Sequence, residues 1–498
     1  MGARPRPPAA AARPARRAAP VRRERDSLGV VAVPARALYG AFTARARATF
    51  DLTGEPPHPA LVRAYALIKK AAARVNARLG LLPARWARAI EWAAHHVAAG
   101  EAPDAAVLDS LQAGAGTPLH MNVNEVIANL ANERLGGRRG RYVPIHPNNH
   151  VNLGQSSNDV TPTAIRLMAL ELAAPLRTEC EALAAALGRL AARERSVVKP
   201  GRTHLQDAVP ITFGQVFAGW ARAVREAGTS LATAERELAS IGLGGTAVGT
   251  GITAHPRFRR LVARELSRLV GRPLRPAANP VTATWSLRPL LACSAALRGM
   301  AVDLAKICFD LRLLASGPHT GLGEIRLPEV EPGSSIMPGK VNPSVVEAVE
   351  MACLQICGHD HAVALGAARG ELELNVMTPL VAFNLSRAIP LLTRAVRLLR
   401  TRVVEGLRVD RSRAAALVAG SLVEATALSP YLGYEATAAL VKEALATRRP
   451  LRDVVAARGL LDGRTLARLL RPAALTRPEA VDLALRRRLR ARADGRPR

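Results

Sequence analysis

Three polar, glycine-rich segments hold the residues of this chain that could do chemistry. The first, HPNNHVNLGQSSNDV from His146 to Val160, sets Ser156, Ser157, Asn158 and Asp159 at the start of an apolar helical run. One small polar residue there would serve as an N-cap. Four in succession exceed that need, and hydroxyls beside free backbone N–H groups at a helix start make a place for a carboxylate or a phosphate. The second, GRTHLQDAVPITFGQ from Gly201 to Gln215, sets His204 beside Thr203 in a turn ahead of another long helical pattern, which suits an imidazole for proton transfer. The third, GSSIMPGKVNPSVVE from Gly333 to Glu347, is the most informative. Two serines follow Gly333, Pro338-Gly339 enforces a turn, and Lys340 and Asn342 come next. A base, a cation and an amide donor thus fall within a ten-residue stretch. Lys340 stands out because the chain has only six lysines and draws nearly all its positive charge from arginine.

These segments interrupt what reads as a helical scaffold. At about 100–200 residues per domain, 498 residues correspond to roughly three domains. A hydrophobic fraction of 49% excludes a wholly disordered chain, and an aromatic fraction of 3% leaves Ala, Leu and Val to build the core. That favours long, closely packed helices over sheet. From Leu28 to Asn152 short helical patterns, including Leu61–Leu79 and Ala87–Ala98, alternate with Gly and Pro breaks. Beyond Val160 the patterns lengthen to about 162–192, 214–238, 286–315, 343–368 and 379–407. Five helices of roughly 25–30 residues would each be some 40 Å long, which is the material of a bundle. The expected divisions are a disordered basic arm over 1–27, a mixed helical domain over 28–153, a central bundle over 154–408, a small helical domain over 409–480 and a basic tail over 481–498.

Lys+Arg 70 against Asp+Glu 40 gives a net charge of +30, but the arginine is scattered and accompanies alanine throughout. A nucleic-acid surface would gather basic residues on one face with aromatics, so the charge argues against nucleic acid as a partner. No apolar run of about 20 residues exists to span a membrane. The opening MGARPRPPAAAARPARRAAPVRRER lacks the apolar stretch of a secretory signal. Cys180, Cys293, Cys308, Cys353 and Cys357 lie in apolar helical segments without metal-ligand spacing, which points to buried thiols in a cytoplasmic protein and to no metal site.

GSSIMPGKVNP resembles the signature of the fumarase/aspartase superfamily, and the likeness extends well beyond it. HMNVNEVIAN (120–129), HPNNHVNLGQSSNDV, GRTHLQDAVP, GGTAVGTG (244–251), ASGPHTGLGEIRLPEVEPGSS (315–335) and ELELNV (371–376) resemble segments of class II fumarases and aspartases in the same order, over about residues 28–475. The resemblance implies an all-α, three-domain subunit whose central five-helix bundle tetramerises into a twenty-helix core, with each site shared by three subunits. It implies reversible anti addition or elimination across fumarate, a small dicarboxylate, with no cofactor. On the matching positions, Ser334 is implied to remove the C3 proton, and Lys340 and Asn342 to clamp the substrate carboxylate. Thr117, Ser156, Ser157, Asn158, Thr203 and His204 match substrate-binding positions, and Glu347 matches the carboxylate that pairs with the site histidine.

Within the superfamily, Ser156-Ser157-Asn158 resembles the fumarases, which implies hydration of fumarate to L-malate. PSVVEAVE after Asn342 and ELELNVM lean instead toward aspartate ammonia-lyase, and a lyase releasing fumarate from another substituted succinate is a third reading. Several positions depart from the fumarase pattern. Ala115 stands where a serine is common, Pro118-Leu119-His120 replaces a polar run ending in Asn, Asn149 takes an Asp position, and Leu153-Gly154 replaces Lys-Ser. Such changes suit a modified substrate, and His120 is a possible new donor. A basic structural or nucleic-acid-binding protein on an old enzyme scaffold would be expected to have lost at least one of Ser334, Lys340, Asn342, His204 and Glu347; all five are present.

Overall fold

The structure, a computed structural model, describes residues 20–493. In chain order the main elements are β1 (Val21–Asp26), β2 (Gly29–Pro34), α1 (Ala41–Thr49), α2 (Pro59–Arg78), α3 (Ala84–Ala98), α4 (Thr117–Arg134) and α5 (Ser157–Arg193). The hairpin β3 (Val198–Thr203) and β4 (Gln206–Thr212) leads into α6 (Phe213–Leu238), followed by α7 (Phe258–Val270), α8 (Pro280–Trp285) and α9 (Arg288–Leu314). Then come α10 (Ser344–Ala367), α11 (Thr378–Arg402), α12 (Arg411–Ala419), α13 (Ser429–Leu432), α14 (Tyr434–Thr447), α15 (Leu451–Ala457), α16 (Gly463–Leu469) and α17 (Leu483–Ala493). Among the described residues, strands occur only in two-stranded pairs, and no helix is long and apolar enough to cross a membrane.

The five long patterns expected from the sequence correspond to α5, α6, α9, α10 and α11, and the fold is helical as composition required. The basic arm expected through residue 27 gives way sooner. Arg22 donates to the carbonyls of Pro34, Ala37 and Tyr39, and Glu24 is buried, so β1 is anchored as a strand from Val21. Residues 1–19 lie outside the described residues. At the other end α17 begins inside the expected tail and buries Leu485 and Leu489 in an apolar cluster with Leu428, Leu440, Val454 and Leu470. Residues 494–498 again lie outside the description.

The chain divides into two compact units. The first runs up to Met168 and takes in Ala239–Leu287 and Gly366–Phe383. Its core is α2 packed on α3, α4 and α7, with Ala64, Ala66, Ala71, Ala72, Ile68 and Val75 fully inside. Small alanines let the helix axes approach closely, which serves a chain so poor in aromatics. The second unit comprises Ala169–Leu238, Arg288–Leu365 and the chain from Asn384 onward. There α6 packs along α9 through Phe217, Trp220, Leu231, Leu297 and Leu304.

Candidate active site

In the first unit the candidate residues sit on two helix starts. Ala115 and Gly116 both adopt left-handed backbone (φ 59° and 70°), and Ala115 N–H donates to Val376 O at 3.0 Å. This double turn delivers Thr117 as the first residue of α4. A Cβ on Gly116 would lie 2.8 Å from Thr161 Cγ2, so the approach is open only to glycine.

At the start of α5, Ser156 and Asp159 cap reciprocally: Ser156 Oγ accepts from Asn158 N–H (3.2 Å), and Ser156 N–H donates to Asp159 Oδ1 (3.0 Å). Asp159 Oδ2 accepts from Gly244 and Thr246 N–H at 2.8 and 2.9 Å, which ties the GGTAVGTG loop to the helix start. Burial pushes the Asp159 carboxyl up to about 6, against the pull of those backbone donors. Asn158 Nδ2 donates to Ala247 O at 2.7 Å. Ser157 Oγ lies 2.8 Å from His120 Nδ1, whose other nitrogen meets the Lys69 ammonium.

The remaining polar residues of HMNVNEVIAN are scaffolding. Glu125 accepts from the N–H groups of Gly40, Phe42 and Thr43 and from the Thr43 hydroxyl, while Asn129 and Asn132 clip the loops at Leu38, Gly140 and Ile145. Asn149 follows His146, whose Nδ1 accepts from the N–H groups of Asn148 and Asn149, and Leu153 O accepts from Asn76 Nδ2.

In the second unit Thr203 and His204 occupy the exposed tip of the β3–β4 hairpin. His204 and Leu205 are both left-handed (φ 55° and 59°), the two-residue turn that suits the twist of paired strands. Just below the tip, Arg202 Nη1 donates to the buried Glu324 carboxylate at 2.7 Å.

The 333–342 loop closes on itself. Gly333 N–H donates to Lys340 O at 2.9 Å, and Asn342 Nδ2 donates to Gly333 O at 2.7 Å. A Cβ on Gly333 would stand 2.4 Å from Lys340 O. Inside the loop Ser334 Oγ accepts from Ile336 and Met337 N–H at 3.2 and 3.1 Å. Lys340 is exposed. Glu347, in the first turn of α10, lies 3.8 Å from Arg312, which also holds Glu350 at 2.7 Å. No hydrogen bond joins His204 to Glu347 among the described residues, so the pairing implied by resemblance is not made within one chain.

Sequence reasoning missed Lys69, whose Nζ also meets Asn152 Oδ1 and Gln155 Oε1, each at 2.9 Å. Its rarity among six lysines was the available signal. Among the described residues no cluster of three or more His, Cys, Asp or Glu could hold a metal ion.

Known proteins resemble this chain along most of its length. A family profile described as Lyase matches residues 29–358, and one described as Fumarase C C-terminus matches residues 425–477. An aspartate ammonia-lyase of Pseudomonas fluorescens is 45% identical over 94% of this chain and 98% of its own. A class II fumarate hydratase of Nitrosomonas europaea is 46% identical over 85% of this chain and 92% of its own. The crystal structure of a class II fumarase from Schistosoma mansoni superposes with a TM-score of 0.90 at 35% identity, covering 93% of this chain and all of the other. With both its long helical body and its small C-terminal region matched, the chain belongs to the fumarase/aspartase family of lyases.

Proposed function

We propose that this lyase catalyses the reversible anti elimination of water from L-malate to give fumarate, with Ser334 as the base. The observation that carries this reading is the pair of backbone N–H groups donated to Ser334 Oγ. A serine hydroxyl is a poor base at its ordinary pKa, and donors aimed at its oxygen favour the oxyanion. The C3–H bond breaks toward Oγ, and the electron pair spreads into the adjacent carboxylate as an aci form. Lys340 and the second N–H of Asn342 face the charge that develops there and stabilise it more than the ground state. The pair then forms the C2–C3 double bond as the C2–O bond breaks, and the departing hydroxide takes a proton from His204. Thr117, Ser156, Ser157, Asn158 and Thr203 hold the rest of the dicarboxylate. No cofactor enters this scheme.

Glu347 orients His204 in this scheme from another copy of the chain, as part of a homotetramer with sites shared by three subunits. Support comes from exposed apolar side chains at helical heptad spacing, Val302 and Phe309 on α9 and Met351, Leu354 and Leu365 on α10. Sedimentation of a monomer would contradict both assembly and site. The five free cysteines, four of them buried, suit a reducing cytoplasm.

Ammonia as the leaving group is a second reading, favoured by the near-equal identity to the ammonia-lyase relative and by Ala115 in place of a hydroxyl donor. Ultraviolet absorbance of fumarate, with L-malate and L-aspartate offered separately, decides between them. Fumarate from malate alone establishes the hydratase; fumarate from aspartate alone overturns it for the ammonia-lyase. Silence with both transfers the activity to a larger substituted succinate.

A further inference from the structure

We propose that His120, backed by the buried Lys69, sets the hydrogen-bond polarity of Ser157 and so acts as a positioning residue that makes Ser157 a donor to a substrate carboxylate. The inference rests on the reading of Ser157 as a contact to a dicarboxylate.

The argument is a count of donors and acceptors. Lys69 is fully buried and its Nζ meets three groups: His120 Nε2 at 2.5 Å, Asn152 Oδ1 at 2.9 Å and Gln155 Oε1 at 2.9 Å. The amide orientations are pinned independently, since Asn152 Nδ2 donates to Gln155 O and Gln155 Nε2 donates to Val151 O. An ammonium has three donors and no acceptor, which matches this set. With Lys69 charged, His120 Nε2 accepts, its proton sits on Nδ1, and Nδ1–H donates to Ser157 Oγ across 2.8 Å. With its oxygen occupied from behind, Ser157 turns its own O–H outward, toward an acceptor. Tyr65, stacked on the His120 ring at 5.9 Å, fixes the imidazole plane.

Loss of one proton reverses the chain. A neutral Lys69 amine keeps two donors for Asn152 and Gln155 and accepts from His120 Nε2–H. The imidazole proton on Nδ1 passes to Ser157 Oγ, whose former proton leaves to solvent. Ser157 then points its O–H back at Nδ1 and presents lone pairs to the carboxylate, which repel it. The Lys69 proton passes to Nε2, the Nδ1 proton to Oγ and the old hydroxyl proton to solvent, so the net loss is one proton.

The groups that face Lys69 are His120 of α4 and Asp159 of α5. Of the other neighbours of α2, α7 presents Glu265, held by Arg74, Arg78 and Arg268, and α3 presents Glu91, held by Arg74. Burial draws Lys69 well below its ordinary 10.5 while Asp159 opposes it, and burial, then Lys69, keeps His120 neutral. The switch follows the loss of the Lys69 proton, so dicarboxylate affinity weakens as pH rises through it.

The test is succinate binding by calorimetry across pH, alongside fumarate kinetics. The proteins are the wild type, His120→Asn and His120→Leu, each first checked for assembly and melting. Asparagine keeps an N–H for Ser157 but cannot reach Lys69; leucine removes the donor altogether. The wild-type Kd should rise about tenfold across the alkaline limb, the value of one hydrogen bond to a charged partner. His120→Asn should bind within about threefold of wild type at neutral pH and lose that limb. His120→Leu should bind about tenfold more weakly at every pH, with KM changed more than kcat. An alkaline limb unchanged in His120→Asn overturns the proposal. So does a leucine variant with falling kcat and unchanged KM, or one unchanged in both, or a wild type that binds no succinate. A wild type that shows the binding pattern yet forms no fumarate overturns the lyase reading and leaves the switch standing. If the leucine variant does not assemble, the asparagine comparison alone decides.

Discussion

In the proposed scheme the start of α5 and the 333–342 loop both offer small polar side chains to a substrate, and they are built in opposite ways. At the helix start almost every polar group already has a protein partner. Asp159 holds three backbone N–H groups, Ser156 caps, Asn158 is tied to Ala247 O, and a buried lysine stands behind Ser157 through His120. In the loop the backbone closes on itself through Gly333, Lys340 and Asn342, while Lys340 and the apolar Ile336 and Met337 face solvent. A part that recognises a fixed negative charge gains from being built in advance, because its dipoles then need no reorganisation. A part that delivers a base gains from a loop that can close over the substrate and exclude water.

The comparison breaks most sharply at Ser334. Ser334→Ala should lower fumarate formation by about a thousandfold or more, since it removes the oxygen that accepts the proton in the proposed scheme. Its melting temperature should stay that of the wild type, because among the described residues Ser334 Oγ bonds to its own turn, at Ile336 and Met337 N–H. An active alanine variant would move the base elsewhere.

Asp159→Ala should do the reverse. It leaves the N–H groups of Ser156, Gly244 and Thr246 without their acceptor inside the first unit, at a cost of about 3 kcal/mol in urea unfolding. The loss should appear as instability of the protein before any loss of turnover per folded molecule. Next in size is Gly333→Ala. Its Cβ would stand 2.4 Å from Lys340 O and 2.8 Å from Asn342 N, so the loop must open. Activity should fall between about tenfold and a hundredfold with stability nearly unchanged, as expected when a catalytic group is displaced by about an ångström. A Gly333→Ala variant that melts early but turns over normally would make the loop scaffold rather than machinery.

How much of this was legible in the sequence follows from the range over which each feature is specified. The long helices are local, and alanine–leucine periodicity placed α5, α6, α9, α10 and α11 to within about five residues at their ends. The turn at His204 is legible but the strands of the β3–β4 hairpin are not, because His204-Leu205 lacks the Asn-Gly or Asp-Gly pattern that signals paired strands. The Ser156–Asp159 cap was visible because cap and helix are contiguous. The support behind Ser157 was not, since Lys69 finds partners 51, 83 and 86 residues away. Only the folded chain shows that His120, a departure from the family pattern, has a lysine at its back.

Two aspartates at helix starts carry the comparison to its smallest effect and give it a sign. Asp410 is the N-cap of α12, accepting from Arg413 N–H at 3.0 Å, whereas Asp159 lies in the first turn of α5 and accepts from Ser156 N–H. Asp410 sits near the surface with the Ser412 hydroxyl at 2.6 Å and Arg326 at 3.0 Å. The Ser412 hydroxyl first, then Arg413 N–H and Arg326, hold its carboxyl down to about 2, whereas burial lifts Asp159 to about 6. Asp410 therefore adds stability that is present above its unfolded value of 3.8 and is lost as pH falls through 2. Asp159 is the opposite case: its folded form takes up a proton more readily than the unfolded chain. Its contribution is greatest below 3.8 and declines as pH rises through 6. Asp410→Ala should cost about 1 kcal/mol at neutral pH, the worth of an N-cap. The stability gap between wild type and Asp410→Ala should close on acidification, while the gap for Asp159→Ala should widen from pH 7 toward pH 4. Urea unfolding of the two variants along one pH series reads both slopes, and parallel slopes would mean that burial does not separate the two carboxylates.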